Sequence, residues 1–139
     1  MSTEDAQEPI EDTVERLQQG VEAFNRRDIE GAMAPLDPDV ELVPLRAVLE
    51  GGSYHGLDGL RRFLEDMGED WEQFHLRADE FVPIGTDRVL VMGHVLARGR
   101  ASGVEVDYGA AWLCYLRAGK VIRVRFYSDR EKALAAAGS

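Results

Sequence analysis

The sequence predicts an α+β protein in which helices on one face pack against a curved antiparallel sheet. Two stretches, residues 10–24 and 58–67, repeat apolar residues at spacings of three and four, the period of a helix that faces a core. From residue 74 onward, β-rich runs are separated by short turns, which join neighbouring strands antiparallel. Helices grouped before a meander are typical of the α+β class, and 139 residues suit one domain.

The first helix is predicted to begin near Ile10, because residues 1–8 are polar and acidic and Pro9 follows them. Residues 1–9 are therefore expected to form a flexible acidic tail. One apolar stripe then runs along the helix, formed by Ile10, Val14, Leu17, Val21 and Phe24.

A second, short helix is predicted from Ile29 to about Leu36, with Asp28 as its N-cap. A short strand around Val40 and Leu42 follows, and a long glycine-containing connection spans residues 46–56. A third helix is predicted to begin near Asp58, whose carboxylate lies at the positive end of the helix dipole.

The remaining elements are four strands and a final helix. The strands are predicted over residues 74–84, 89–98, 104–116 and 121–128. The Ala-rich stretch DREKALAAAG forms a brief terminal helix that Gly138 stops.

Composition restricts the partners. Acidic residues outnumber basic ones by 26 to 16, and the resulting charge of −10 would repel nucleic acid and anionic membrane surfaces. Cys114 is the single cysteine and lies in an apolar context, which suits a reducing compartment. The first residues lack the basic and apolar regions of a signal peptide, so we expect a soluble, cytoplasmic protein.

Three stretches carry a family resemblance by their order and spacing: VEAFNRRDIEGAMAPLDPDVELV, YHGLDGLRRFL and GKVIRVRFYSDREKALAAAG. Together they resemble the SnoaL-like members of the nuclear transport factor 2-like superfamily. The resemblance covers residues 10–139 as a single domain. It implies a cone-shaped cavity between sheet and helices, and often a homodimer formed through the sheet. It fixes no activity, because this fold hosts several kinds of enzyme and non-catalytic members.

The resemblance also implies where the catalytic groups of relatives would fall. Ketosteroid isomerases use a carboxylate base and an oxyanion hole, and local alignment places their tyrosine donor at about Gly20, their base at Val43 and their protonated Asp near Trp112. The acid/base Asp of polyketide cyclases, and a carboxylate of epoxide hydrolases of this fold, would lie at Phe126. None of these four residues is an acid or a phenol, so the usual catalytic groups are expected to be replaced.

Two other side chains could perform catalysis. His94 lies mid-strand on the same side as Met92, and if that side faces the cone its imidazole could act as a base. Tyr108, on the next strand, could donate a proton. The alternative for His94 is a hydrogen-bonded core or outer-face histidine.

Three functions are compatible with this sequence. The preferred one is a pocket that binds a small apolar or aromatic molecule. The second is an isomerase, polyketide cyclase or epoxide hydrolase type of enzyme that uses His94 and Tyr108. The third is a non-catalytic dimeric module with a filled cone. The expected pocket lining is Phe24, Phe63, Met92, His94, Tyr108, Trp112 and Phe126.

No cofactor is predicted. The three histidines and one cysteine show no spacing typical of a metal site, so none is predicted. The glycines between residues 99 and 109 lack phosphate-loop spacing and are read as strand corners or bulges.

Overall fold

A computed structural model describes residues 10–44, 53–128 and 130–138. The fold of this part is α+β, as predicted. The expected acidic tail, and residues 46–52 of the long connection, lie outside the described residues. In chain order the elements are α1 (Ile10–Asn25), α2 (Ile29–Met33), β1 (Leu36–Val43), β2 (Tyr54–His55), α3 (Gly56–Asp70), β3 (Trp71–Ile84), β4 (Arg88–Gly99), β5 (Glu105–Arg117), β6 (Lys120–Tyr127) and α4 (Arg130–Ala137).

The strands form one six-stranded sheet in the order β2-β1-β6-β5-β4-β3. Strands β3 to β6 form the predicted antiparallel meander. Strand β1 instead pairs in parallel with β6, with Leu42 opposite Val124. Short turns identify only neighbours in sequence, so they could not reveal that the first strand pairs with the last.

Local signals set the helix ends. Asp28 caps α2 as predicted, because its carboxylate accepts a hydrogen bond of 3.1 Å from the Gly31 N–H. The helix ends at Met33 rather than near Leu36, which instead begins β1. Pro35 separates the two elements, and its carbonyl accepts a 3.0 Å hydrogen bond from the Val121 N–H of β6.

The sheet carries an apolar cluster on each of its two faces. The inner face packs against α1, α2 and α3, and its most buried sheet residues are Val40, Val89, Val91 and Val121. The outer cluster lies beneath α4 and contains Leu90, Met92, Ala111, Leu113, Ala133 and Ala137. Much of β4 is therefore buried on both sides.

A bulge curves the sheet where β3 and β4 pair. The register shifts between Ala78 and Glu80, opposite Gly93. A Cβ atom at Gly93 would lie only 1.8 Å from the Arg77 carbonyl oxygen. Position 93 therefore accepts only glycine without a shift of the backbone.

The C-terminal end of helix α1 and the turn after it protect β3, one of the two edge strands of the sheet. The Asn25 side chain donates to the Leu76 carbonyl at 2.8 Å and accepts from the Leu76 N–H at 2.9 Å. Arg27 donates to the Phe74 carbonyl at 2.9 Å. These bonds satisfy backbone groups that an edge strand would otherwise present to another chain.

Candidate functional site

A cavity of about 90 Å³ lies between the inner face of the sheet and the three N-terminal helices. Helices α1 and α3, the α2–β1 junction, and strands β1, β3, β5 and β6 all contribute to its wall. The lining residues are Leu17, Gly20, Val21, Phe24, Ala32, Pro35, Leu36, Leu42, Leu60, Phe63, Leu76, Trp112, Cys114, Val124 and Phe126.

Four aromatic rings cross this region from α1 to the sheet, and we refer to them as the aromatic chain: Phe24, Phe63, Phe126 and Trp112. Successive ring centroids are 6.1, 6.4 and 5.9 Å apart. The last three rings are nearly parallel, with 28° and 29° between successive planes. Ring contacts of this kind contribute stabilising free energy beyond that of burying the ring surfaces. The aromatic chain therefore stabilises the cone while it fills much of the centre.

Four residues of the predicted lining, the members of the aromatic chain, do line the cavity. Helical spacing directs Phe24 inward from α1, and Phe63 projects from α3 to meet it. Trp112 and Phe126 lie opposite each other in the β5–β6 register and so share the inner face.

The expectation that Met92 and His94 line the cavity is wrong. Val91 and Val95 of the same strand belong to the inner cluster, whereas Met92 packs in the outer cluster with Leu90. Side chains alternate along a strand, so His94 also lies on the outer face. The sequence indicates correctly that Met92 and His94 lie on the same side of β4. That side was expected to face the cavity, whereas in the structure it faces outward.

Tyr108 lies apart from the cavity. It pairs with Val95, which places it on the inner face at the end of β5, where it is 37% exposed. It is absent from the cavity lining, and partial burial raises the pKa of its phenol. Strand alternation directs the His94 and Tyr108 side chains to opposite faces of the sheet, although both residues border the same open groove outside the cavity.

On the outer face, His94 is held between two carboxylates. Its Nδ1 lies 2.7 Å from Asp107 Oδ1, and its Nε2 lies 3.9 Å from Asp79 Oδ2. Arg77 Nε contacts the other oxygen of Asp79 at 3.1 Å. In the sequence, Asp79 and Asp107 both have the pattern of surface charges; only the pairing of β4 with its two neighbours brings them to His94.

Three of the four positions that the resemblance implies for catalytic groups line the cavity, and one does not. Gly20 lines the cavity, but a Cβ there would lie 2.8 Å from Pro35 Cγ, so a tyrosine would not fit without displacing the α2–β1 junction. Val43 is not in the lining, whereas its neighbour Leu42 is. Trp112 and Phe126 are in the lining, and no carboxylate occupies any of these places.

The cavity lining is apolar and has almost no ionisable groups. Among the described residues that line it, Cys114 alone has an ionisable side chain. Complete burial raises the pKa of its thiol from 9.0 to about 12. The lining therefore holds no group that would exchange a proton near neutral pH.

Sequence reasoning missed the contribution of the α2–β1 junction to the lining, namely Pro35 and Leu36. The sequence analysis expects these residues at the end of the short helix that Asp28 caps. Pro35 was the available signal, since proline rarely continues a helix.

Metal clusters and membrane-spanning helices are both absent from the described residues. No group of three or more His, Cys, Asp or Glu residues there is arranged to hold a metal ion. No helix in the same part of the chain is long and apolar enough to cross a membrane.

Comparison with known proteins gives a family match and several similar structures. Residues 17–124 match the family described as SnoaL-like domain. No curated protein matches the sequence.

Three similar structures illustrate the fold. An NTF2-like protein of unknown function from Burkholderia pseudomallei has a TM-score of 0.75 and 22% identity, over 91% of this chain and 98% of its own. TerC, co-crystallized with polyporic acid, has a TM-score of 0.75 and 25% identity over the same shares of the two chains. A protein provisionally assigned as a polyketide cyclase, from Xanthomonas campestris pv. campestris, has a TM-score of 0.69 and 21% identity over 90% and 96%.

Proposed function

The chain belongs to the SnoaL-like domain family, and on that premise we propose that it binds a compact apolar molecule within its cone. The observation that carries this proposal is the cavity lining, which combines the aromatic chain with aliphatic side chains and one buried thiol. Such a surface favours a guest by excluding water and by ring contact rather than by hydrogen bonds.

The cavity volume limits the guest. About 90 Å³ is free, whereas an apolar cavity of about 150 Å³ accommodates benzene and pockets for drug-sized ligands reach about 300–1,000 Å³. A ring-sized guest therefore requires a side chain of the aromatic chain to rotate away. TerC, 25% identical, was co-crystallized with polyporic acid, which supports the ability of this fold to hold a small organic molecule.

An isomerase, polyketide cyclase or epoxide hydrolase activity that uses His94 and Tyr108 has less support. Those two side chains lie on opposite faces of the sheet. The cavity itself offers Cys114, whose thiol stays protonated near neutral pH because burial raises its pKa to about 12.

A second candidate is a non-catalytic module with a filled cone that forms a homodimer through the outer face of its sheet. The small cavity favours it. A cytoplasmic location is part of both proposals, because the buried thiol of Cys114 is free.

The proposal is tested by ligand titration with Trp112 as the reporter. The Trp71→Phe background leaves Trp112 as the single tryptophan. Titration with benzene, toluene and cyclohexane should quench or shift its fluorescence saturably and raise the melting temperature.

A pair of neighbouring variants locates the site. Phe126→Ala removes a ring from the cavity, whereas Tyr127→Ala removes one from the outer cluster. We expect Phe126→Ala to bind toluene more tightly than the parent and Tyr127→Ala to bind it unchanged.

Absence of saturable binding in both the parent and Phe126→Ala would contradict the proposal and favour the filled module. Light scattering of the same samples would then measure its oligomeric state. Equal binding by the Phe126 and Tyr127 variants would show that the probe binds elsewhere.

A further inference from the structure

One stretch of the sheet has a neighbouring strand on only one side. Strand β6 ends at Tyr127, which pairs with Ala111 of β5. Strand β5 begins earlier, at Glu105, and pairs with β4 over all of this extra length. Residues 105–110, which we call the open edge, therefore have β4 on one side and no strand of the described chain on the other.

The pairing with β4 shows which backbone groups of the open edge are free. Gly99 N–H donates to the Val104 carbonyl at 2.9 Å, so the backbone of Val104 faces β4. Hydrogen bonding alternates along an antiparallel pair, so Glu105, Asp107 and Gly109 direct their N–H and C=O groups away from β4. No backbone hydrogen bond joins these groups to the part of the chain that the structure describes.

The two edge strands of the sheet are protected, in contrast to the open edge. On β3, the Asn25 side chain occupies both backbone groups of Leu76, a bulge interrupts the register, and Pro83 has no N–H. Strand β2, at the other side of the sheet, is only two residues long. Proteins commonly blunt their sheet edges in these ways against pairing with another chain. A stretch left without such protection points to a partner strand.

The side chains of the open edge leave room for that strand. A Cβ atom at Gly109 would have no neighbour within 4 Å, and its backbone has no positive φ that requires glycine. A glycine inside a strand often marks the close approach of another backbone. Tyr108 is 37% exposed, and Val104, next to the open edge, is 57% exposed. Two of the four exposed large hydrophobic side chains among the described residues therefore lie here.

We propose that the open edge binds an extended peptide, which adds to the sheet in line with β6. The peptide exchanges backbone hydrogen bonds with Glu105, Asp107 and Gly109. Every second side chain of the peptide is apolar, because it shares the inner face with Val106 and Tyr108. The side chains between them are basic, since like charges directly opposite each other destabilise a strand pair and the chain carries a charge of −10.

A second copy of the chain fits the open edge less well. An antiparallel pairing of the open edge with itself uses all three free residues only when Asp107 lies at the two-fold axis. The two Asp107 carboxylates would then lie directly opposite each other, which destabilises the pair.

Blocked hexapeptides test the proposal. Acetyl-Lys-Val-Lys-Val-Lys-Val-amide should shift the amide resonances of Glu105, Asp107 and Gly109 saturably in the isotope-labelled protein and slow their hydrogen exchange. The peptide in which glutamate replaces lysine should bind at least about tenfold more weakly, because its charges repel those of the protein.

Two N-methylated forms of the lysine peptide identify backbone pairing. With the valines on the inner face, the lysine N–H groups point to β5 and the valine N–H groups point away from it. Methylation of the lysine backbone nitrogens should weaken binding at least about tenfold, whereas methylation of the valine backbone nitrogens should leave it unchanged.

A pair of protein variants locates the contact. Tyr108→Ala removes an exposed ring at the open edge, whereas Leu134→Ala removes an exposed side chain of α4. We expect Tyr108→Ala to bind the lysine peptide at least about threefold more weakly and Leu134→Ala to bind it unchanged. Melting temperatures check that both variants are folded.

Equal binding of the two methylated peptides, equal binding of the lysine and glutamate peptides, or unshifted amides at the open edge would each overturn the proposal. A dimer in light scattering of the protein alone, with the open-edge amides already protected from exchange, would overturn it in favour of a second copy. The result is independent of the proposed cavity function, because residues 105–110 are absent from the cavity lining. Toluene binding, reported by Trp112, should be the same with and without the lysine peptide.

Discussion

Trp112 and Phe126 lie directly opposite each other on adjacent strands, with ring centroids 5.9 Å apart and 29° between the ring planes. The resemblance to catalytic relatives implies acids at or near both positions. Here the two rings form the sheet end of the aromatic chain. The two rings therefore pack the centre of the cone at the positions where the relatives would have acids.

Phe126→Ala should lower the free energy of unfolding by about 3 kcal/mol, because it removes ring contacts with both Phe63 and Trp112 and enlarges the cavity. Phe126→Leu keeps most of the volume and should cost about 1 kcal/mol. Chemical denaturation measures both values. A loss in Phe126→Ala no larger than in Phe126→Leu would contradict this account of the centre.

Gly93→Ala should lower the free energy of unfolding by at least about 3 kcal/mol. The added methyl group would lie 1.8 Å from the Arg77 carbonyl oxygen, so the bulged backbone must move. At Gly109 on the neighbouring strand, an added methyl group would meet no atom within 4 Å beyond the adjacent residues, and Gly109→Ala should change stability by no more than about 0.5 kcal/mol. Similar thermal unfolding of the two variants would argue against the bulge geometry.

Asn25→Ala should destabilise the edge of the sheet by about 1–2 kcal/mol, since Leu76 loses hydrogen bonds from both its N–H and its C=O. Hydrogen exchange at the Leu76 amide should accelerate. The adjacent Arg26→Ala removes only an exposed contact of 3.8 Å with Asp28 and should cost less than about 0.5 kcal/mol. Unchanged exchange at Leu76 in Asn25→Ala would show that α1 does not protect this strand.

Cys114 should resist thiol reagents in the folded protein at neutral and mildly alkaline pH, because burial raises its pKa from 9.0 to about 12. Between these two pH values the thiol is protonated in the folded state and ionised in the unfolded state. The stability of the folded state therefore falls as the pH rises from about 9.0 to about 12, and the thiol has no such effect below that range.

Unfolding measured against pH in the parent and in Cys114→Ala tests this. The parent should lose more stability than the variant as the pH rises through that window. Rapid native-state labelling at neutral pH would contradict the burial of the thiol.

Most elements of the fold were predictable because their signals are local. The stripe of Leu17 and Phe24 marks α1, Asp28 caps α2 through the neighbouring Gly31, and short turns connect the meander. The parallel pairing of β1 with β6 was not predictable, since no local pattern joins residues about eighty positions apart.

The sequence by itself determined the family, the element types and the sets of residues that share each face of a strand. It placed Leu90, Met92 and His94 on one side of β4 because alternation is a property of the backbone. Only the tertiary structure decided which side faces the cavity. Helix α4 buries the outer face as the N-terminal helices bury the inner one, so both sides of β4 are apolar and hydrophobicity does not distinguish them. That packing turned His94 away from the cone and set it between Asp107 and Asp79.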